Sequence, residues 1–100
     1  MASEIGAQIL RAGGSAVDAG IAISAAISVV EPGASHLGGD AFLITHDAIS
    51  KENLAFNGSG EAPHQATIES FSGEIPLRGF KSATVPGLVS TWFAVHEKSV

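Results

Sequence analysis

The stretch SAVDAGIAISAAISVV, Ser15 to Val30, decides the architecture. Ser15 with Asp18 three positions on is a capping-box arrangement, and it sets an acid near the positive end of the helix dipole. From there Val17, Ile21, Ala22, Ile23, Ala25, Ala26, Ile27, Val29 and Val30 make an apolar helix. It stops at Glu31-Pro32-Gly33, because proline restricts the residue before it and glycine follows. Apart from Asp18, Ser24 and Ser28 there is no polar stripe. A helix apolar on nearly every side needs cover on nearly every side.

Working outward, Ile5, Gln8, Ile9 and Ala12 share one face of a short amphipathic helix over Ser3 to Ala12, ended by Gly13-Gly14. On the other side, a glycine-rich turn from Gly33 to Gly39 leads into Ala41-Phe42-Leu43-Ile44-Thr45. That run is predicted to be a strand buried on both faces. A polar connection from Asp47 to Asn53 and a short strand at Leu54-Ala55-Phe56 complete an antiparallel hairpin. Ala66 to Phe71 has room for one or two helical turns, Ser72 to Lys81 reads as loop, and a last helix begins near Pro86-Gly87. The fold class is α+β, helix-helix-β-hairpin-helix, in one unit spanning residues 1–100.

Two strands and three helices leave more apolar surface than they can hide from one another, since a two-stranded hairpin is marginal alone in water. Each large aliphatic side chain left wet forfeits roughly 1.5–3 kcal/mol. More chain or a partner is therefore expected on these faces. The alternative is a self-standing small α+β binding module that uses the last helix as its lid.

Ten acids against five bases give a net charge of −5, and Arg11, Lys51, Arg78, Lys81 and Lys98 are scattered. Nucleic-acid binding needs clustered cations, so that class is set aside. There is no cysteine, hence no disulfide or thiolate metal site. The longest uncharged apolar stretch, Ala19 to Val30, falls short of the ~20 residues that span a bilayer. Met1-Ala2-Ser3-Glu4 lacks the form of an export signal, which tilts the localisation toward the cytoplasm and leaves an upstream signal open.

Most local motifs have a structural explanation. His36, His46, His64 and His96 fall at no metal-ligand spacing, so neither a metal nor another cofactor is expected. Gly58-Ser59-Gly60 is not G-x-S-x-G, because position 57 is Asn, and no strand and helix flank it as a nucleophile elbow. Asn57-Gly58 is a hairpin-turn signal, but Ser59 to Pro63 makes a poor returning strand. A glycine-rich loop at a strand end, bringing backbone close to something, fits better.

The pieces form an ordered set: Gly13-Gly14-Ser15-Ala16-Val17-Asp18-Ala19, then Val29-Val30-Glu31-Pro32, then Leu37-Gly38-Gly39-Asp40-Ala41-Phe42. Asn57-Gly58-Ser59-Gly60 with Ala62-Pro63, and Val85-Pro86-Gly87 with His96-Glu97, complete it. Over nearly the whole chain this resembles the N-terminal region of the γ-glutamyltranspeptidase family. The resemblance implies part of an αββα sandwich of the N-terminal-nucleophile hydrolases. It also implies a precursor that cuts itself into a large and a small subunit.

The nucleophile implied is the threonine that opens the small subunit, with its terminal amine as base. Thr45, Thr67, Thr84 and Thr91 match nothing catalytic, so no catalytic residue is expected in this chain. The partners implied are the rest of the large subunit, the Thr-starting small subunit and a small amide substrate. In true transpeptidases an arginine before Ala-Pro grips the substrate α-carboxylate, and the aligned position here is Ser59. A hydroxyl cannot replace that bidentate contact. The Asn-Gly-Ser-Gly form resembles a branch of putative acylases and amidohydrolases, one acting on oxamate. Cleavage or transfer of an acyl group from a small amide, γ-glutamyl or related, is therefore expected, with hydrolysis of another small amide at least as favoured as γ-glutamyl transfer. Asn57, Ser59 and Gly60 are the candidate substrate-pocket residues, while Gly38 and Gly39 serve a tight entry into the first strand.

Overall fold

The computed structural model describes residues 1–99. Helix α1 spans Ala2–Arg11 and α2 spans Ala16–Val30, followed by strands β1 (Ala41–His46) and β2 (Asn53–Gly58) and helix α3 (Leu88–Ser99). The order is the expected α+β one.

The α1–α2 corner is built by local chemistry. Gly14 and Gly13 N–H groups donate to the Ile9 and Leu10 carbonyls at 3.0 Å each, and Gly13 takes φ +92°. This closes α1 with a Schellman pattern that only glycine enters cheaply. Ser15 then opens α2. Its Oγ accepts the Asp18 N–H at 3.1 Å, while Asp18 Oδ2 accepts the Ser15 N–H at 2.8 Å. These two bonds satisfy helix-end donors that would otherwise lack partners. The Ser15 N–H, and after it the Ser15 hydroxyl, hold the Asp18 carboxyl below its ordinary value.

Helix α3 lies against α2 and the hairpin. Trp92 Nε1 donates to Ser24 Oγ at 3.1 Å, and His96 Nε2 stands 3.5 Å from Asp18 Oδ1. The small buried core gathers here: Val95 is fully covered, with Val17, Ala19, Leu88 and Thr91. β1 and β2 pair antiparallel, with Ala41 opposite Gly58, Leu43 opposite Phe56 and Thr45 opposite Leu54. These pairs are half-buried, and the alternate residues are exposed.

The structure corrects three expectations. β1 is covered on one face only: Phe42 and Ile44 are 73% and 81% exposed, because no second layer lies over them. β2 runs past Phe56 to Gly58, since Asn57 and Gly58 go on pairing with Phe42 and Ala41. Glu69–Phe71 forms a short 3-10 turn where a helical turn was expected, but the segment read as loop also carries a second one, Phe80–Ser82.

The radius of gyration is 16.4 Å, with extents of 52 × 31 × 15 Å. A compact chain of this length has a radius of about 13 Å. The molecule is a slab too thin to enclose a two-layer core. Val29, Ile68, Leu77 and Phe80 add to the wet apolar surface. Among the described residues, no helix is long and apolar enough to cross a membrane.

Two outcomes follow. Residues 1–100 expressed alone should exchange amide protons quickly and melt without a sharp transition. A compact monomer with strong protection and a cooperative melt would contradict the shortage of cover. The second concerns pH. Because the folded Asp18 value lies below the unfolded one, its contribution is complete above the unfolded value and is lost as pH falls through the folded value. In the full-length protein, Asp18→Asn should therefore lower the melting temperature at about pH 7, and the gap should close as pH falls below the ordinary aspartate range.

Candidate functional site

The loop that leaves β2 meets the start of α3 beside the first residue of β1. Asn57 Oδ1 accepts the Ser59 N–H at 3.0 Å and the Ser59 hydroxyl at 2.7 Å. This side-chain turn bends the chain out of the sheet at Gly58. It also settles the amide orientation, because an oxygen with two donors leaves Nδ2 as the free end of Asn57.

The next residue is gripped from the entry to β1. Gly60 N–H donates to Asp40 Oδ1 at 2.9 Å, and Thr84 Oγ1 donates to the same carboxylate at 3.0 and 3.2 Å. Beyond it the Val85 N–H reaches the Glu61 carbonyl at 3.5 Å. Gly60 lies so close to this segment that a Cβ on it would fall on the Val85 carbonyl oxygen. Backbone approach of this kind is what a glycine in such a loop permits.

The opposite wall is the first turn of α3. Gly87 and Leu88 N–H groups donate to the Gly39 carbonyl at 3.0 and 2.9 Å. Thr91 and Ser90 hydroxyls donate to the Gly87 carbonyl at 2.8 and 2.9 Å.

Between these walls lies an open hollow of about 440 Å³. Asn57, Ser59 and Gly60 all line it, with Val85, Gly87 and Thr91 opposite. The three candidate residues are thus one constellation. Glu61 is the only charged residue in the lining, and no lysine, arginine or histidine reaches it. The Ser59 and Gly60 N–H groups are already engaged within the wall. Among the described residues, no three histidine, aspartate or glutamate side chains are grouped to hold a metal ion.

Sequence reasoning missed Asp40 and Thr84. An acid just before a strand was visible, but nothing in the sequence says that its partners lie 20 and 44 positions away. Gly39 has a further part that the sequence did not indicate: its carbonyl receives the first N–H groups of α3. Gly38 N–H donates to His36 Nδ1 at 3.1 Å, a local turn contact.

Comparison with known proteins gives a consistent result. The family model described as Gamma-glutamyltranspeptidase matches residues 2–99. The chain is 45% identical over 98 residues to the glutathione hydrolase-like YwrD proenzyme of Bacillus subtilis, covering 95% of this chain and 19% of that protein. It is 43% identical over 95 residues to the oxamate amidohydrolase proenzyme of Klebsiella pneumoniae, covering 92% of this chain and 18% of that one. Among solved structures it superposes on Helicobacter pylori gamma-glutamyltranspeptidase with a TM-score of 0.88 at 38% identity, over 97% of this chain and 30% of the other. The chain thus spans about a fifth of the length of these curated relatives.

Replacing the hydrogen of Gly60 with a methyl group tests the close approach. Gly60→Ala in the full-length protein should destabilise by about 1–3 kcal/mol, the usual cost of overpacking. The check is a lowered melting temperature, accompanied by faster amide exchange in the segment around Val85.

Proposed function

The chain belongs to the gamma-glutamyltranspeptidase family, and from that premise we propose that it forms one wall of the acyl pocket of an amide-cleaving enzyme. The observation that carries this reading is the hollow at the end of β2. It gathers Asn57, Ser59 and Gly60 and offers a substrate no guanidinium or ammonium group.

In this reading the reactive group comes from the rest of the precursor. The hydroxyl oxygen of a threonine exposed by self-cleavage bonds to the acyl carbon, the C–N bond breaks, and the leaving amine takes the proton relayed by the terminal amine. Water then adds to the acyl-enzyme and releases the acid, restoring the threonine. An amine in place of water makes the same cycle a transfer. The Ser59 hydroxyl oxygen accepts from the amide N–H of the substrate, which orients the bond to be cut.

The lining favours hydrolysis of a small amide other than a γ-glutamyl compound. Gripping an α-carboxylate calls for a bidentate cation, and Ser59 stands where such an arginine is expected. The relative from Klebsiella pneumoniae, named for oxamate, is consistent with a short monoamide. The rest of the large subunit and the small subunit are the natural cover for the open side of β1. Phe42 and Ile44 supply the apolar surface for that contact.

The test uses the full-length gene product after self-cleavage, offered oxamate and a γ-glutamyl anilide in parallel. Ammonia should be released from oxamate, with little aniline from the other compound and no acceleration by a dipeptide. Ser59→Arg should raise γ-glutamyl turnover relative to oxamate by roughly tenfold to hundredfold, the range of one charge-assisted contact. Fast, dipeptide-stimulated aniline release by the wild type would overturn the amidohydrolase reading.

A further inference from the structure

Gly39 and Asp40 act on both walls of the hollow. The Gly39 carbonyl receives the first N–H groups of α3, which sets one wall. The Asp40 carboxylate receives the Gly60 N–H and the Thr84 hydroxyl, which sets the other. We propose that Asp40 is a positioning residue for substrate: it holds the Ser59–Gly60 loop against the Thr84–Val85 segment and so fixes the wall that Ser59 and Gly60 present to the hollow. This rests on the reading of the hollow as an acyl pocket.

Three observations carry it. First, the other bonds of the loop are local or weak. Ser59 turns both its donors back onto Asn57, two positions away, and the Val85–Glu61 bond is stretched to 3.5 Å. Asp40 supplies the long-range ties, reaching 20 and 44 positions along the chain. Second, Asp40 has no cationic partner among the described residues, so its acceptor capacity goes to these neutral donors. A carboxylate accepting from N–H or O–H makes a stronger bond than a neutral oxygen does. Third, the tie consumes the Gly60 N–H. Removing Asp40 both frees that N–H and lets the loop drift.

Because Asp40 touches the loop rather than the reacting atoms, its loss should appear in binding and not in chemistry. The test compares self-processed full-length wild type with Asp40→Ala, Asp40→Asn and Thr84→Val, using oxamate and the γ-glutamyl anilide as probes. Asp40→Ala should raise KM for the probe turned over by about tenfold or more, with kcat changed less than about threefold. Asp40→Asn keeps an oxygen for the Gly60 N–H and should restore KM to within about threefold of wild type. Thr84→Val should fall between them. An unchanged KM, a loss confined to kcat, or Asn as poor as Ala would overturn the proposal.

If Asp40→Ala does not fold, the Asn and Val variants decide by the same criteria. A wild type that turns over neither probe refutes the acyl-pocket reading by itself. Asp40 is then judged by amide exchange in the peptide covering residues 57–62. Release of protection confined to that peptide in the Ala or Val variant supports the tie, and unchanged exchange removes it.

Discussion

The Gly39 carbonyl on the first two N–H groups of α3 is the contact on which the rest of the structure depends. The opening donors of a helix have no partners within the helix itself. Here a main-chain oxygen from the entry to β1 supplies them, and the start of α3 is thereby locked to the hairpin. That lock places Thr91 and Val95 in the small core and brings Gly87 opposite the loop that leaves β2. Without it the hollow would have one wall.

The Asp40 side chain adds a second tie from the adjacent residue. Two neighbouring residues thus hold two distant segments by different chemistry, one through a carbonyl and the other through a carboxylate. The result is a pocket wall assembled mostly from backbone, glycines and neutral hydroxyls. Such a wall brings little charge of its own. The wet apolar surface around it has a different meaning. Phe42 and Ile44 sit on the sheet face away from α3, in a slab whose thinnest extent is 15 Å. Surface of that kind is the usual mark of a contact face. The relatives are about five times longer than the stretch they share with this chain.

Much of this was legible beforehand. The capping box at Ser15 and Asp18, the glycine stop at Gly13 and the apolar run of α2 are local signals, and local signals survive into the structure because they depend on neighbours a few residues away. The ordered motif set pointed to the family that the comparison identifies over residues 2–99. Asn57-Gly58-Ser59-Gly60 was correctly separated from a hairpin turn, since Ala62-Pro63 cannot pair as a returning strand. The length of β2 was underestimated, because Asn57 and Gly58 are poor strand residues whose pairing is imposed by Phe42 and Ala41.

What the amino-acid sequence determined by itself is the set of elements, their caps and the excess of apolar surface, all consequences of spacing and side-chain type. What only the tertiary structure decided is which donors Asp40 and Gly39 receive, which face of β1 is left open, and that the loop and α3 flank an open hollow. Those facts join residues 20 to 49 positions apart. No local pattern encodes such pairings, because they arise only when separate elements come within hydrogen-bonding distance.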